Sequence, residues 1–537
     1  MKSYRKTIQK GQETITMNEA KGTRARKTGR AKKVTRRILL GLLCVLVAAG
    51  TLVGLGMWTS RYPDRINMGT ACNMGNMPNM DMSSMCQTGN TSASTGNGTP
   101  IASLQAPETA AHIDTFVLTA QPAHLSFGTN PGVDAWTFNG TAPGPTLRVR
   151  QGDLVVVHLI NHLSAGVTIH WHGVDVPNSA DGVAGVTQDA VKPGQSYTYR
   201  FLAKEAGTYW YHSHQESFEE TGHGLYGMLI VEPNAPVVHD DVDMALALHS
   251  WNSVPTMNGV AGTLHIPAQP GQWVRLRLVN TDNTPYQLTL AGAPFLVAAL
   301  DGHDLNGPTP LTEVPFSIDG GQRYDLRFRM PESGPVAMLI ANDGEQQYHQ
   351  MPVVLVGKGS LASNALPAIG HNEFDFATYG QPRIDTITAQ SHFDATYTIS
   401  LGFTFGFSNS RPGPVFTLNS QSFPNTPTIV VKPGQLVLLR FVNDANNGTH
   451  PMHLHGHTFT VLTKNGRALT GSPVHLDTIA VRPHETYDVA FYANNPGLWM
   501  LHCHNLYHAN HGMDMMVVYP NISTPYTIGN ASGNFPD

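Results

Sequence analysis

Apolar and polar residues alternate in short runs along most of the chain, a period that indicates β-strands rather than helices. One pattern has a Gly, then alternating apolar residues, then a closing Asn, and it occupies residues 149–161, 268–280 and 431–443. A second pattern follows each of these runs, at residues 193–214, 320–342 and 483–504. The chain therefore carries one β-rich unit of about 120 to 160 residues three times over.

These repeats predict the fold class and the domain organisation. Short strands separated by turns indicate an all-β fold of sandwiches or closed barrels. The 52 Gly and 37 Pro supply the turns that such a fold needs. We place the three β-domains at residues 109–235, 236–375 and 376–537.

One uncharged stretch, residues 38–58, interrupts this pattern and is long enough to span a bilayer as a helix. Residues 1–37 hold 13 Lys and Arg against two Glu, and such a basic flank stays in the cytoplasm. The three β-domains would then lie outside the cytoplasm, membrane-anchored or exported. Residues 35–40, Thr-Arg-Arg-Ile-Leu-Leu, also resemble a twin-arginine export signal. The segment is therefore either a retained transmembrane anchor or a cleaved signal helix.

Residues 59–108 are interpreted as a Met-rich segment followed by a flexible linker. Six Met accompany Cys72 and Cys86 within residues 67–86, and sulfur ligands favour Cu(I). The alternative is a plain linker closed by a disulfide between these two cysteines. Residues 87–108 are rich in Ser, Thr, Asn and Gly, which is typical of a tether.

Composition narrows the classes of function. Beyond residue 37 the chain has 20 basic and 36 acidic residues, which argues against nucleic acid as a partner. Only four Cys are present, so a disulfide-rich scaffold is excluded. The 26 His and 20 Met instead point towards metal binding.

Histidines occur as pairs separated by one residue in the first and third units. The pairs are His170 and His172, His212 and His214, His453 and His455, and His502 and His504. Alternate residues of a strand share one face, so each pair presents two imidazoles on the same side. Eight clustered imidazoles exceed the needs of a four-coordinate zinc site and predict a compact cluster of metal ions.

The middle unit keeps the repeated frame and lacks these histidines. Residues 285–289 align with the segment 451–455 that holds His453 and His455, yet they contain no His. Leu339 and Ala341 occupy the positions that match His502 and His504. We therefore interpret the middle unit as a spacer that positions the outer two.

A second metal centre is predicted next to the cluster. Cys503 lies between His502 and His504, so its side chain points to the opposite face of the strand. A Cys with two His and a weak Met is the ligand set of blue-copper electron-transfer centres. His450, His508 and Met513 can complete that set, and adjoining residues would then give electrons a short covalent path.

These motifs together resemble those of the multicopper oxidases, a family that includes the laccases, over about residues 109–525. The resemblance implies three cupredoxin-like Greek-key β-barrels and four copper ions, one of type 1, one of type 2 and two of type 3. It assigns His450, Cys503, His508 and axial Met513 to type 1 copper, and His170 and His453 to type 2. It assigns His172, His212 and His504 to one type 3 copper, and His214, His455 and His502 to the other.

The resemblance also implies the reaction. A reductant gives single electrons to the type 1 centre, Cys503 passes them to the cluster, and four electrons reduce O2 to water. Asp181, which lies 11 residues after His170, matches an acidic position of bacterial members and is our candidate proton donor. Its alternative role is that of a turn-forming Asp. Some relatives carry a Glu directly after the last type 1 His, where this chain has Ala509.

Three functions compete at this stage. The first is a laccase-like oxidase of phenols and similar organic donors. The second is a cuprous oxidase for copper tolerance, in which the Met-rich segment captures Cu(I). The third is a copper-binding envelope protein without catalysis, and it is disfavoured because all 12 expected ligands are present.

Overall fold

The computed structural model describes most of the chain, including nearly all of the three β-rich units. The described residues are 20–69, 98–127, 132–235, 238–342, 344–348, 352–360, 369–370, 372–444 and 446–537. The predicted Met-rich segment therefore lies largely outside the described residues, as do Cys72 and Cys86.

Helices are few in the described residues. They are α1 (Ala20–Thr59), α2 (Ser217–Gly222) and α3 (Leu506–Asn510), with 3₁₀ turns at Ile101–Ser103 and Asn178–Ala180. Within α1, the segment Lys33–Thr59 is long and apolar enough to cross a membrane, with a mean hydropathy of 2.7. Helix α1 belongs to a compact unit of its own with residues 407–412, and residues 62–406 and 413–537 form a second unit.

The strands fall into three consecutive groups, each built of two sheets. After a short β1 (Thr99–Pro100), the first group comprises β2 (Ile113–Leu125), β3 (Val133–Phe138), β4 (Leu147–Arg150), β5 (Leu154–Asn161), β6 (His170–His172), β7 (Ser196–Leu202), β8 (Gly207–His212) and β9 (Tyr226–Glu232). Its sheets have the strand orders β3-β2-β5-β7 and β4-β9-β8-β6.

The middle group repeats this arrangement. It comprises β10 (Val242–Trp251), β11 (Val254–Met257), β12 (Thr263–Ile266), β13 (Trp273–Asn280), β14 (Tyr286–Ala291), β15 (Phe295–Leu300), β16 (His303–Asp304), β17 (Phe316–Ile318), β18 (Arg323–Arg329), β19 (Val336–Asn342) and β20 (Val353–Val356). Its sheets have the orders β11-β10-β13-β18-β15-β16 and β12-β20-β19-β14-β17.

The third group follows the same plan. It comprises β21 (Ala395–Ser408), β22 (Arg411–Leu418), β23 (Ile429–Val430), β24 (Leu436–Asn443), β25 (His450–Leu454), β26 (Phe459–Lys464), β27 (Arg467–Ala468), β28 (His475–Leu476), β29 (Thr478–Val481), β30 (Glu485–Tyr492), β31 (Leu498–Cys503) and β32 (Asp514–Val518). Its sheets run β22-β21-β24-β30-β26-β27, with β28 on β26, and β23-β32-β31-β25-β29. A last strand, β33 (Ile522–Ser523), pairs with β1 in parallel.

The Asn that closes each repeated run has the same structural role in all three groups. Asn161, Asn280 and Asn443 end β5, β13 and β24, and each is fully buried. Each side-chain amide donates to two backbone carbonyls, one four or five residues on and one from a later segment of the same strand group. A buried amide without hydrogen-bond partners would destabilise the fold by about 1–3 kcal/mol. These hydrogen bonds therefore explain why an Asn closes each run.

The predicted all-β fold is confirmed, and one apolar core contains residues of all three strand groups, among them Trp171, Leu276 and Trp499. The residue boundaries of the domains stay predictions. Met68, the first Met of the predicted sulfur-rich segment, is buried in a separate apolar cluster with Tyr62 and Phe423. Its thioether therefore packs in the protein interior.

Candidate metal centres

Two pairs of neighbouring strands carry the four histidine pairs. In the first group β6 pairs with β8, so His170 lies opposite His212. In the third group β25 pairs with β31, so His453 lies opposite His502. Each group thus presents four imidazoles from two hydrogen-bonded segments, because the side chains of alternate strand residues share a face.

The two sets of imidazoles meet between the first and third groups, and all eight side chains are buried. Nε2 of His170 lies 3.4 Å from Nε2 of His453. The ring centroids of His214 and His455 are 4.9 Å apart. The rings of His172 and His504 are 4.6 Å apart. The eight histidines singled out in the sequence therefore form one continuous cluster.

Smaller sets within the cluster have the size of metal sites. His214, His455 and His502 each offer a ring nitrogen, and these nitrogens all lie within 4.8 Å of one another. His172 and His212 offer a similar set with His170. The rings of His212 and His504 lie 5.3 Å apart. Because the sets share members, the positions of the imidazoles allow several divisions into ligand groups.

The second centre lies on the other face of β31. Sγ of Cys503 is 3.7 Å from Nδ1 of His450 and 3.5 Å from Nδ1 of His508. Helix α3 brings His508 back towards the strand, and the side chain of Asn505 caps this helix by accepting from the backbone N–H of His508. Met513 is fully buried, and its carbonyl accepts from the backbone N–H of Cys503 at 3.0 Å.

The donor groups of the cluster fit metal ions. Nδ1 of His212 lies 2.9 Å from the carbonyl of Ser213, which leaves Nε2 buried with no protein partner among the described residues. Both ring nitrogens of His214 and of His504 are likewise buried and unpaired there. Buried polar atoms without partners are rare in native proteins and indicate a missing ligand.

The protonation states of the cluster histidines also favour metal binding. Burial lowers the pKa of His214, His453 and His502 to about 4, and these side chains are neutral near pH 7. Burial also lowers the pKa of four further cluster members, His172, His212, His455 and His504, well below the ordinary value. Neutral imidazole is the form that binds metals. Burial raises the pKa of the Cys503 thiol, which a bound cation would offset by ligating the thiolate.

Asp181 lies inside the cluster. Its carboxylate oxygens are 3.1 Å from Nδ1 of His455, and Oδ1 is 3.1 Å from Nδ1 of His170. The side chain is fully buried directly after the 3₁₀ turn Asn178–Ala180. Burial raises the pKa of Asp181, and the contact with His170 acts in the opposite direction. The residue therefore follows a turn and also touches two cluster histidines.

Two residues of the site were missed in the sequence. Oδ1 of Asp477 lies 3.0 Å from Nε2 of His172 and 3.3 Å from Nδ1 of His453. Oγ1 of Thr478 is 3.0 Å from that same Nε2 of His172. No motif marks this pair, and the only signal is an acidic residue beside the apolar strand β29.

His457 and His511 lie close in sequence to the predicted ligands but outside the cluster of eight histidines. His457 is buried, with its ring nitrogens 3.1 Å from the carbonyl of His455 and 2.7 Å from the hydroxyl of Tyr519. Nδ1 of His511 lies 2.7 Å from the carbonyl of Tyr507. Their contacts are those of structural side chains.

Comparison with known proteins agrees with this geometry. Residues 119–236 and 390–523 each match a family model described as multicopper oxidase. Multicopper oxidase MmcO of Mycobacterium tuberculosis is 29% identical over 467 residues, which cover 75% of this chain and 87% of that protein. Laccase-1 of Botryotinia fuckeliana is 29% identical over 457 residues, which cover 73% and 80% of the two chains.

Solved structures extend the comparison. The crystal structure of a multi-copper oxidase from Pseudomonas thermotolerans matches with a TM-score of 0.61 and 29% identity, and the match covers 76% of this chain and 100% of that one. Fet3p, a multicopper oxidase that functions in iron import, matches in fold with a TM-score of 0.66 and 22% identity, over 76% and 91% of the two chains. The chain is therefore a member of the multicopper oxidase family, a copper-dependent oxidoreductase that uses O2 and binds four copper ions.

Proposed function

We propose that this multicopper oxidase is laccase-like and takes electrons one at a time from phenolic or similar organic donors. The observation that carries the proposal is an aromatic surface of the exposed Phe403 and Phe405, which lies beside the buried Phe416 that stacks on His508. Relatives named as laccases support the same donor class.

The aromatic surface suits a flat organic ring. Phe416 stacks on His508 with ring centroids 3.9 Å apart, and Phe403 lies 6.1 Å from Phe416. Phe403 and Phe405 are exposed, at 44% and 80% of their surface. Aromatic contacts of this kind contribute about 0.5–1.5 kcal/mol each beyond the area that they bury.

The same proposal assigns the copper ligands as the family pattern does. Type 1 copper takes His450, Cys503, His508 and Met513, type 2 takes His170 and His453, one type 3 copper takes His172, His212 and His504, and the other takes His214, His455 and His502. Support comes from the two separate centres, which lie on opposite faces of β31.

Within this assignment the chain itself provides the path for electrons. His508 is only partly buried, whereas His450, Cys503 and Met513 are buried, so a donor reaches the type 1 centre through His508. Cys503 adjoins His502 and His504, and the path to the cluster therefore runs through neighbouring peptide units. When bound, the copper ions supply one-electron transfer at the first centre and the four-electron reduction of O2 at the second.

Asp181 is the proposed proton donor of that reduction. Forming water consumes protons, and this carboxyl is the acidic group that touches both His170 and His455. The two roles considered for Asp181, forming a turn and donating a proton, are compatible. The turn after His170 folds the chain back onto the cluster, so a residue in that turn also lies beside the histidines.

The second candidate function is oxidation of Cu(I). Its support is the density of Met and Cys within residues 67–86, since thioether and thiolate sulfur bind Cu(I). That segment precedes the first β-domain in sequence, so it could deliver copper without forming the entry to the type 1 centre.

We also propose the location of the protein. Residues 38–58 anchor or export the chain, and the three domains at 109–235, 236–375 and 376–537 lie outside the cytoplasm. The basic flank and the apolar segment Lys33–Thr59 support this orientation.

The donor can be tested with the copper-loaded full chain in detergent. We expect faster O2 uptake with a phenol than with Cu(I), and an about 2- to 10-fold rise in KM for the phenol in Phe403→Ser, from the aromatic contact energy above. Tyr492→Ser, at an equally exposed aromatic of β30, is the control and should leave that KM unchanged. Uptake with Cu(I) alone would favour the cuprous oxidase, and no uptake with either would exclude both.

A further inference from the structure

Arg323, at the start of β18 in the middle group, is fully buried beside the copper cluster. Its Nε donates to the carbonyl of Thr208 at 3.1 Å. Its two terminal nitrogens donate to the carbonyls of Gly321 and Asp301 at 3.2 and 3.0 Å. They also donate to both carboxylate oxygens of Asp477, at 2.8 and 2.5 Å. All five N–H groups of the guanidinium therefore have acceptors.

These acceptors come from all three strand groups. Thr208 belongs to β8 of the first group, Asp301 and Gly321 to loops of the middle group, and Asp477 precedes β29 of the third. Only the planar fork of Arg can grip a carboxylate with two parallel bonds while it serves further acceptors. One side chain thus fixes the position of Asp477 relative to both other groups.

Asp477 in turn contacts two cluster histidines. Its Oδ1 lies 3.0 Å from Nε2 of His172, whose Nδ1 is buried with no protein partner in the described structure. The same oxygen lies 3.3 Å from Nδ1 of His453, and the backbone carbonyl of Asp477 lies closer to that nitrogen, at 3.0 Å. Nε2 of His453 faces His170 at 3.4 Å. In His172, Asp477 approaches Nε2 and leaves Nδ1 without a protein partner among the described residues. In His453, Asp477 approaches Nδ1 and leaves Nε2 facing the cluster.

The backbone around this pair is shaped to admit it. Gly173, directly after His172, has φ +85°, and a Cβ there would lie 2.3 Å from Nη2 of Arg323 and 2.6 Å from Oδ2 of Asp477. Thr478 N–H donates at 3.0 Å to Asp301, whose other carboxylate oxygen accepts from the backbone N–H of Arg323. Both the turn after His172 and the start of β29 therefore accommodate the ion pair.

We propose that Arg323 is a positioning residue for the trinuclear copper centre. The middle domain supplies no ligand under the assignment proposed above, on which this inference rests, yet it orients His172 and His453 through Asp477. A carboxylate that accepts the second N–H of a ligating imidazole fixes its tautomer and ring orientation and raises its basicity. Arg323 holds that carboxylate in place.

Arg277 provides a matched control. It is also buried and also joins the first and middle groups, since it donates to Oγ1 of Thr208 at 2.9 Å and to Asp243 at 2.7 Å. Its hydrogen bonds within the described residues stay in those two groups and do not extend to Asp477. Removing it disturbs the same interface without touching the cluster.

The test compares Arg323→Met, Arg323→Lys and Arg277→Met in the copper-loaded full chain. A chelator removes type 2 copper while its EPR signal and the blue thiolate band are followed, and thermal unfolding of the copper-free proteins measures stability. We expect Arg323→Met to lose type 2 copper about 10- to 100-fold faster, with altered type 2 hyperfine splitting and an unchanged thiolate band. Arg323→Lys should fall between, because it keeps the charge and loses the fork.

Arg277→Met should lower the unfolding temperature and leave the rate of copper loss unchanged. Equal rates of loss in the Arg323 and Arg277 variants would overturn the proposal. If Arg323→Met fails to load copper, the rate of copper loss from Arg323→Lys is compared with that from Arg277→Met. Equal rates in these two variants would again overturn the proposal. A type 2 signal that persists unchanged in His453→Gln would instead show that the ligand assignment is wrong.

Discussion

The middle and third strand groups share one frame and differ in their chemistry. The sheet β12-β20-β19-β14-β17 has the same plan as β23-β32-β31-β25-β29. Where His453 lies opposite His502 in the third group, Gln287 lies opposite Ala341 in the middle group, so the strand pairing places Ala341 at the position of His502 where the sequence match had placed Leu339. The frame therefore forms with ordinary side chains at these positions, so packing alone does not require the histidines of the outer groups.

The middle group nevertheless contacts the site. Arg323 and Asp301 reach Asp477 and Thr478 from that group, so its part in the chemistry is support of ligands that belong to its neighbours. A repeat without these imidazoles can still support the site when a buried charge pair faces the shared interface. Four predictions follow from this contrast.

The largest effect is expected from Cys503→Ser. This change removes the thiolate that distinguishes the third strand group from the other two. O2 uptake should fall by about three orders of magnitude, equivalent to about 4 kcal/mol of barrier, and the blue band should vanish. The cluster should still bind copper, because its imidazoles are intact. Cys44→Ser, at the exposed cysteine of α1, is the control and should keep full activity. Retained uptake in Cys503→Ser would contradict the relay.

Asp181→Asn should produce the next largest effect. Loss of a positioned acid costs about 100-fold in kcat, while the KM for the donor stays unchanged because the donor binds at the type 1 centre. Asp181→Glu should recover part of the rate. Asp189→Asn, at an exposed Asp eight residues on, serves as the control. An unchanged kcat in Asp181→Asn would leave this residue with its turn role alone.

Acid should destabilise the copper-free protein because of the buried histidines in the first and third strand groups. The pKa values of His214, His453 and His502 are lowered from 6.5 to about 4 by burial, so between these pH values the unfolded chain binds more protons than the folded one. Stability is therefore present above about pH 6.5 and falls as the pH drops to about 4, by up to about 1.4 kcal/mol per unit for each His.

Thermal unfolding across this pH range measures the slope. His453→Gln should make the slope shallower, since it removes one such group. His265→Gln, at an exposed His of β12 in the middle group, should leave the slope unchanged. A slope that is insensitive to His453→Gln would mean that other groups cause the acid lability.

The smallest effect is expected from returning histidines to the middle group. Gln287→His with Ala341→His restores an opposed pair on β14 and β19. Copper content should remain at four ions per chain, because the change adds two imidazoles where the outer groups combine eight; the expected cost is about 1–3 kcal/mol of overpacking. A fifth bound copper would show that an opposed pair alone suffices.

The sequence indicated which histidines lie together, and that Cys503 faces the other way, because their spacing along the strands is a local pattern. His-x-His spacing and the placement of Cys503 follow from strand periodicity, and the three repeats indicated the sheets. Asp477 could not be predicted, since its contact with His172 joins residues far apart in the chain. Met68 belongs to a sulfur-rich stretch by composition, yet it packs into a core that only the tertiary fold creates.

Copper-edge anomalous diffraction from crystals of the copper-loaded protein tests most directly where the four copper ions bind. We expect one peak at Cys503, His450 and His508, and three peaks among the eight imidazoles between the first and third strand groups. A peak bound within the middle group, or no peaks between the outer groups, would contradict it.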